Sequence, residues 1–439
     1  MNYPLLENAV LGKKLQKSEH YRIIGGGIAG LLLGFHLKKA GVSFHIYEKT
    51  ERAGGLLQTK KMKHGLAEGA ANGVLWCPEL EALANDLGLK LVAPQKITKK
   101  RYILRNNEFR RFPLTVAETW EAIWQFASWQ KPRKIETLQD FCDTYLSEKV
   151  GQQLLEPALA GIYAGRLDEL SFSAILPTLA QTQAKNERLG LALFKNAWKN
   201  RNNKRPKAPA HLRGGTLSFE NGMQDLVNAL ANDMSEHITY NSDILAEQNT
   251  TKSTILCVPA YEAANFFASH QLSKKLQKIT YSPIISITLF LEQTNLPNFK
   301  AGFGCLIPRN ENYTILGVLF NHCIFDKRVT NEKIASLTCI MRDFDDSLLK
   351  KTDKELLNIV ENDLKKLFNL QNNFLEHQIY RWPKGIPLYS PALQATHFEI
   401  QDTLEKDFPK IRLFGNYTGQ ISVRKMCVEA AKVGRYLAK

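Results

Sequence analysis

The residues best suited to chemistry lie near the start of the chain, in the run Gly25-Gly26-Gly27-Ile28-Ala29-Gly30. Glycines at its first, third and sixth positions answer three different demands. Gly25 permits a tight turn, Gly27 lets the backbone approach a pyrophosphate, and Gly30 lets a helix pack closely on the preceding strand. Ile28 and Ala29 open that helix, whose free N–H groups and dipole favour phosphate. Glu48 falls about twenty residues after Gly30, where a ribose-binding carboxylate belongs. A second glycine pair, Gly54-Gly55, follows Arg52 and sets more bare backbone beside a cation. A solvated loop charge is the plainer reading of Arg52 alone, but the whole set points to a dinucleotide site.

The elements that must position these groups are legible around them. Residues 21–24 read as a short apolar strand, residues 31–41 as a helix stopped at Gly41, and residues 43–49 as a second strand delivering Glu48. From 114 to about 199 the pattern is mainly helical and interrupts this α/β order. The basic, Pro-containing stretch 200–211 reads as an exposed linker, and α/β character returns over 214–231 and 238–260. Residues 280–320 alternate as antiparallel strands do, residues 353–368 read as a helix, and 381–391 as a Pro-broken loop. A last strand reaches Gly415-Asn416 just before a helix over 425–438, which could present a second helix N-terminus to the cofactor.

Composition bounds the function. The chain has 439 residues, 44% of them hydrophobic and 23% charged, which fits a folded protein of two or three domains and excludes disorder or a fibrous repeat. Its formal charge of +15 calls for an anionic partner: nucleic acid, an acidic membrane surface or a carboxylate-bearing substrate. The basic residues are spread along the chain and no nucleic-acid module appears, so nucleic acid drops out. The first nineteen residues lack a signal peptide's apolar core, and no stretch is long and apolar enough to span a bilayer. Cys77, Cys142, Cys257, Cys305, Cys323, Cys339 and Cys427 show no C-x-x-C pair and no metal spacing. They read as buried thiols in a reducing, cytoplasmic compartment.

The chain resembles the protoporphyrinogen oxidases and the related bacterial flavin-dependent coproporphyrinogen oxidases, within the amine oxidase superfamily. The motifs that carry the resemblance run in order along nearly its whole length: 25–41 with 52–55, 101–113, 154–179, 219–230, 302–308, 382–391 and 415–431. Most specific are the block EPALAGIYAGRLDELS and the strand GFGCLIP. The resemblance implies FAD rather than NAD, held by the residues above together with Lys49, Ile244, Gly415, Asn416 and Ile421. It implies an α/β fold in which a discontinuous Rossmann-like FAD-binding domain (20–75, 209–260 and 405–439) joins an antiparallel-sheet substrate domain (76–104 and 261–404) and a helical insertion (105–208).

The implied reaction is a six-electron oxidation of a porphyrinogen in haem synthesis, with molecular oxygen as acceptor and no catalytic triad, because the flavin carries the chemistry. By similarity Gly161 would lie against the macrocycle, and Leu306 and Leu319 would wall it. A loop glycine at a helix end, and core packing, are the plainer readings of these three. Where eukaryotic members carry a propionate-binding Arg, this chain has Asn72, which can donate a hydrogen bond but cannot form a bidentate charged pair. Arg101 or Arg166 could compensate. In the helical insertion, Trp120, Trp124, Phe126, Trp129 and the basic run Lys131 to Lys134 would suit peripheral attachment to an acidic membrane surface. The resemblance is compatible with a homodimer. Two other readings stay open: a different amine-oxidase-type flavoenzyme acting on an amine or a polyene, and a flavin- or porphyrin-binding protein without turnover.

Overall fold

The computed structural model of the chain describes residues 18–127, 134–185, 189, 206–213, 215–247 and 249–438. Two sheets organise it. The first is five-stranded and wholly parallel, in the order Ile238–Thr239, Phe44–Tyr47, Tyr21–Ile24, Thr254–Leu256, Ile411–Leu413. All four residues of its central strand are buried, as expected when helices cover both faces of a parallel sheet. The helix Ile28–Lys39 returns over the sheet and packs on the C-terminal helix Val423–Leu437. Those helices approach closely because Gly434 is bare: a Cβ there would lie 2.7 Å from the His36 carbonyl oxygen.

The second sheet has seven strands, in the order Glu376–Pro387, Tyr281–Glu292, Ile334–Arg342, Gly317–Phe320, Gly304–Leu306, Tyr102–Arg105, Glu108–Arg110. Every pair is antiparallel except Gly304–Leu306 with Tyr102–Arg105, which is parallel. Asn106 and Asn107, both with positive φ, close the last hairpin, as a type I′ turn requires. Side chains alternate between faces. The row Cys305, Val318, Cys339, Ile287 points to a buried core completed by Val360, Leu364 and Phe368 of the helix Asp353–Phe368. A Thr352/Glu355 capping box starts that helix. The opposite row, Leu306, Gly317, Ile340, Ser286, Tyr380, lies on the face away from that core.

Three expectations are corrected. The 381–391 segment is not a loop from its start: Glu376–Pro387 is a strand, and its prolines are tolerated because it lies at the sheet's edge, where a missing N–H breaks no ladder bond. The helical stretch between 138 and 163 is broken into Leu138–Tyr145, Glu148–Val150, a π-type turn over Gly151–Leu155, and Glu156–Tyr163. The π turn immediately precedes Pro157, whose ring would strike the Gln153 carbonyl in a regular helix. Third, a long helix, Pro391–Asp407, occupies a region where the sequence suggested none. The expected domain limits at 104/105, 260/261 and 404/405 fall inside the elements Tyr102–Arg105, Ala260–Phe266 and Pro391–Asp407. Part of the 200–211 linker lies outside the described residues.

Candidate active site

The parallel sheet delivers its loops to one edge. From the C-terminal ends of its five strands come Gly25–Gly27, Glu48 and Lys49, the 241–244 turn with Ile244, Cys257-Val258, and Gly415-Asn416. Such an edge is where a doubly wound sheet binds ligands. Gly25 has φ +107°, and a Cβ there would meet the Cys257 carbonyl oxygen at 2.9 Å. Gly30 is more tightly confined, its absent Cβ lying 2.0 Å from the Gly25 carbonyl oxygen. Gly27 is the opposite case: its Cβ would meet nothing within 4 Å, so open space lies over the backbone that caps the helix. No side chain caps that first turn, so its N–H groups are available to an anion. Gly54 donates to the Gly26 carbonyl at 2.8 Å, and Gly55, at φ +59°, lies against Gly27.

Glu48 is almost fully buried. Its Oε2 accepts from the Gly26 N–H at 2.7 Å, and its Oε1 from the Thr50 N–H and hydroxyl at 2.9 and 2.7 Å. A carboxylate held by three donors retains lone pairs for ribose hydroxyls. Gly26 is a contributor the sequence reading overlooked, both as this donor and because a Cβ there would lie 2.9 Å from the Glu48 Cβ. Arg52 folds back onto its own loop, donating to the carbonyls of Ala53 and Gly55 at 3.1 and 2.6 Å. Lys49 is turned to Glu262, 2.9 Å away, which raises its pKa. Ile244 and Ile421 pack into the apolar cluster behind the edge, and the Asn416 carbonyl accepts from the Tyr389 hydroxyl at 2.5 Å.

The seven-stranded sheet supplies a second surface. Leu306 and Leu319 are partly exposed, while their neighbours Cys305, Val318 and Phe320 are buried in the core. The two leucines therefore lie on the face away from that core. Gly161 sits inside the helix Glu156–Tyr163, not at a helix end, and is exposed. Outside its own helix, the one heavy atom of the described residues within 4 Å of its absent Cβ is Leu306 Cδ2, at 4.0 Å. At the far end of the same row, Tyr380 stacks on Trp382 with ring centroids 5.9 Å apart. Burial raises the Tyr380 pKa, Glu68 adds to the rise and Arg52 opposes it.

Asn72 lies in the loop after Gly69, and the Gly69 carbonyl accepts from Trp382 Nε1 at 2.7 Å. The adjacent Gly73 abuts Thr216 and Leu217, and Gly215 in turn abuts Arg101, whose Nη2 is 3.1 Å from where a Cβ would be. Arg101 lies over the Phe303 ring at 4.6 Å and has no carboxylate partner among the described residues. Arg166 differs, since it donates to both oxygens of Asp168, at 2.9 and 2.6 Å.

Comparison with known proteins fits this geometry. The profile of the flavin containing amine oxidoreductases matches residues 28–432. The chain belongs to this family. It is 26% identical to protoporphyrinogen oxidase 2, chloroplastic/mitochondrial, of Arabidopsis thaliana, over 97% of this chain and 93% of that protein. It is 22% identical to coproporphyrinogen III oxidase of Bacillus subtilis strain 168, over 90% and 93%. In fold it is similar to a provisionally named protoporphyrinogen oxidase from Exiguobacterium sp. 255-15, with TM-score 0.76, 20% identity and coverage of 96% and 99%. This flavin containing amine oxidoreductase is an FAD-dependent oxidoreductase with the α/β architecture of those relatives.

A buried ion pair ties the chain just before the strand Ile334–Arg342 to the short strands Leu66–Glu68 and Thr216–Phe219. Arg328, beside the seven-stranded sheet, donates to Ser218 Oγ at 2.5 Å and lies 3.8 Å from Glu68 Oε1. Glu68 also accepts from Thr59 Oγ1 at 2.6 Å and from the Met223 N–H at 3.1 Å. Burial pushes its carboxyl up to about 7 despite the Arg328 charge. Removing either partner would strand the other in an apolar setting. All seven cysteines are buried free thiols.

The helix Val116–Ala127 exposes Val116, Trp120, Ile123 and Trp124 on one side. Phe126 does not join them: it packs edge-on against Tyr145, because it lies two residues past Trp124 and therefore across the helix. Trp129 and Lys131 to Arg133 lie outside the described residues. No helix among the described residues is long and apolar enough to cross a membrane.

Proposed function

We propose that the protein oxidises a porphyrinogen to the porphyrin, using FAD as hydride acceptor and molecular oxygen as terminal acceptor. When bound, the flavin supplies hydride acceptance and oxygen reactivity. The residues around it need only bind, orient and exclude water. Removal of hydride from a methylene bridge leaves a cation stabilised by the flanking pyrroles, and loss of a proton completes each two-electron step; over the three steps three bridges give hydride, while two pyrrole N–H groups and the fourth bridge give the protons. Three such steps consume three molecules of oxygen and release three of peroxide.

The observation that carries this reading is the bare backbone of Gly161 facing Leu306 at one end of a sheet face that carries Tyr380 at its other end. The row from Leu306 to Tyr380 crosses five strands, about 19 Å at the usual strand spacing. That is the breadth a flat macrocycle with its side chains needs. Leu306 and Leu319 offer apolar walls, and Asn72 offers a neutral donor. Arg101, without a carboxylate of its own, is the better candidate for a propionate than Arg166, which Asp168 already occupies. The flavin itself would be cradled by Gly25, Gly27, Ile28, Ala29, Gly30, Gly54 and Gly55, with Glu48 on the ribose.

Purified protein should be yellow and should convert non-fluorescent porphyrinogen into fluorescent porphyrin while consuming oxygen. Flavin-loaded protein that forms porphyrin from neither coproporphyrinogen nor protoporphyrinogen would refute the assignment. The exposed tryptophans of Val116–Ala127 support a further reading, peripheral attachment to an acidic bilayer surface on the cytoplasmic side. Flotation with anionic liposomes tests it, and protein left in the soluble fraction would refute it.

A further inference from the structure

The helix that carries Gly161 also closes a second recess, a small cleft open to solvent. Pro157 lies one turn before Gly161 on that helix, and Ala164 is the left-handed residue that ends it. They form the floor of the recess with Ile307 and Leu316, so it adjoins the Gly161–Leu306 gap. Its rim is made by two arginines that share one aromatic ring. The guanidinium carbons of Arg309 and Arg342 each lie 4.5 Å from the Phe344 ring centroid.

Neither arginine is fully satisfied by the protein. Arg342 is 8% exposed and bonded to both oxygens of Glu169, at 2.7 and 3.1 Å, yet its buried Nε has no partner. A buried N–H of a cation left without an acceptor is costly, and an incoming carboxylate would relieve it. Arg309 has its nearest carboxylate oxygen, on Glu156, 3.8 Å away, beyond hydrogen-bonding distance. Burial raises the Glu156 pKa, which weakens that hold further. An apolar floor under two incompletely paired guanidiniums suits a carboxylate carried on an apolar body.

The position of this rim bears on the substrate. Arg101 lies on Phe303, just before the strand Gly304–Leu306, and Arg309 follows that strand on the other side of Leu306. Six residues of extended chain span at most about 20 Å, so the two cations stand to either side of Leu306 along its strand. Protoporphyrinogen carries its two propionates on adjacent pyrroles and hence on one edge. Coproporphyrinogen carries one on every pyrrole, and so presents carboxylates on opposite edges. Resting on the porphyrinogen reading above, we infer that Arg309 and Arg342 bind a propionate at the edge opposite Arg101, and that the preferred substrate is the tetracarboxylate coproporphyrinogen.

The test compares steady-state oxidation of coproporphyrinogen III and protoporphyrinogen IX by flavin-loaded wild type, Arg309→Met and Arg342→Lys, and titrates coproporphyrin III onto each by fluorescence. Wild type should favour coproporphyrinogen by at least about tenfold in kcat/KM, the value of one charged hydrogen bond. Arg309→Met should lose about tenfold on coproporphyrinogen, chiefly through KM, and less than about threefold on protoporphyrinogen, with a matching loss of coproporphyrin affinity. Arg342→Lys keeps the charge but not the fork, and should show the same selective loss. Equal or reversed preference in wild type, or Arg309→Met acting alike on both substrates or on neither, would overturn the inference while leaving porphyrinogen oxidation standing. Flavin-loaded wild type that oxidises neither substrate would overturn both.

Discussion

The cofactor edge and the substrate-facing sheet are built on opposite principles. The edge is made of backbone: Gly25, Gly30 and Gly54 are fixed by carbonyls and side chains that leave a Cβ no room, and Glu48 is locked by three donors. The sheet face is made of side chains, with Leu306, Leu319 and Tyr380 projecting from strands whose other face is the core. Substitutions at the edge should therefore act as switches. On the sheet face they should act in degrees, through KM.

The largest effect is expected at Gly30. Gly30→Ala sets a Cβ 2.0 Å from a backbone oxygen that cannot move cheaply, and should cost more than about 4 kcal/mol and yield protein without flavin. Gly27→Ala is its sharpest contrast, because the new methyl meets no protein atom within 4 Å. That variant should melt like wild type yet bind FAD at least about tenfold more weakly, since the methyl occupies the space proposed for the pyrophosphate. Full flavin retention by Gly27→Ala, read from absorbance after dialysis, would break the comparison on the cofactor side.

A change of similar size leaves both surfaces alone. His397 is completely buried with neither ring nitrogen bonded, and burial pushes its pKa down to about 4 from about 6.5. Below the unfolded value the unfolded chain binds the proton more readily, so stability falls as pH drops from about 6.5 toward 4, by on the order of 3 kcal/mol. His397→Leu should flatten this part of a denaturation series run across pH. An unchanged pH slope would show that the loss arises elsewhere.

Smaller effects belong to the sheet side. Arg101→Met should raise KM for a porphyrinogen by about tenfold and leave flavin content intact. A fall in kcat at constant KM would contradict a binding role. Gly161→Ala should be smallest and mixed in sign. A helix-interior glycine replaced by alanine gains about 1 kcal/mol of stability, and the methyl has room beside Leu306, so the melting temperature should rise. Turnover should nonetheless fall a few-fold, because the methyl stands where the macrocycle is proposed to lie.

The same contrast explains how much was legible in the sequence. Gly25, Gly27, Gly30, Glu48 and Gly54-Gly55 lie at short, fixed spacing along the chain, so residue type alone could mark them as candidates. The sheet face is assembled over long separations: Trp382 reaches Gly69 across 313 residues, and Arg328 meets Glu68 across a comparable distance. Nothing in the local pattern announces such pairs. The strand Glu376–Pro387 was hidden by prolines that only an edge position tolerates. The helix Pro391–Asp407 was hidden by its own buried face, where Gln394 and His397 stand among Leu393, Ile400 and Leu404 and disrupt the apolar period. The arginine pair on Phe344 joins residues from two strand ends, and only the folded chain shows it.

The central claim is that one slot joins the flavin to a porphyrinogen, and anaerobic mixing tests it most directly. Flavin-loaded protein mixed with porphyrinogen in the absence of oxygen should lose its yellow absorbance as porphyrin fluorescence appears, and should regain it when oxygen is admitted. Yellow absorbance that persists, with porphyrin forming no faster than in a protein-free control, would contradict the account.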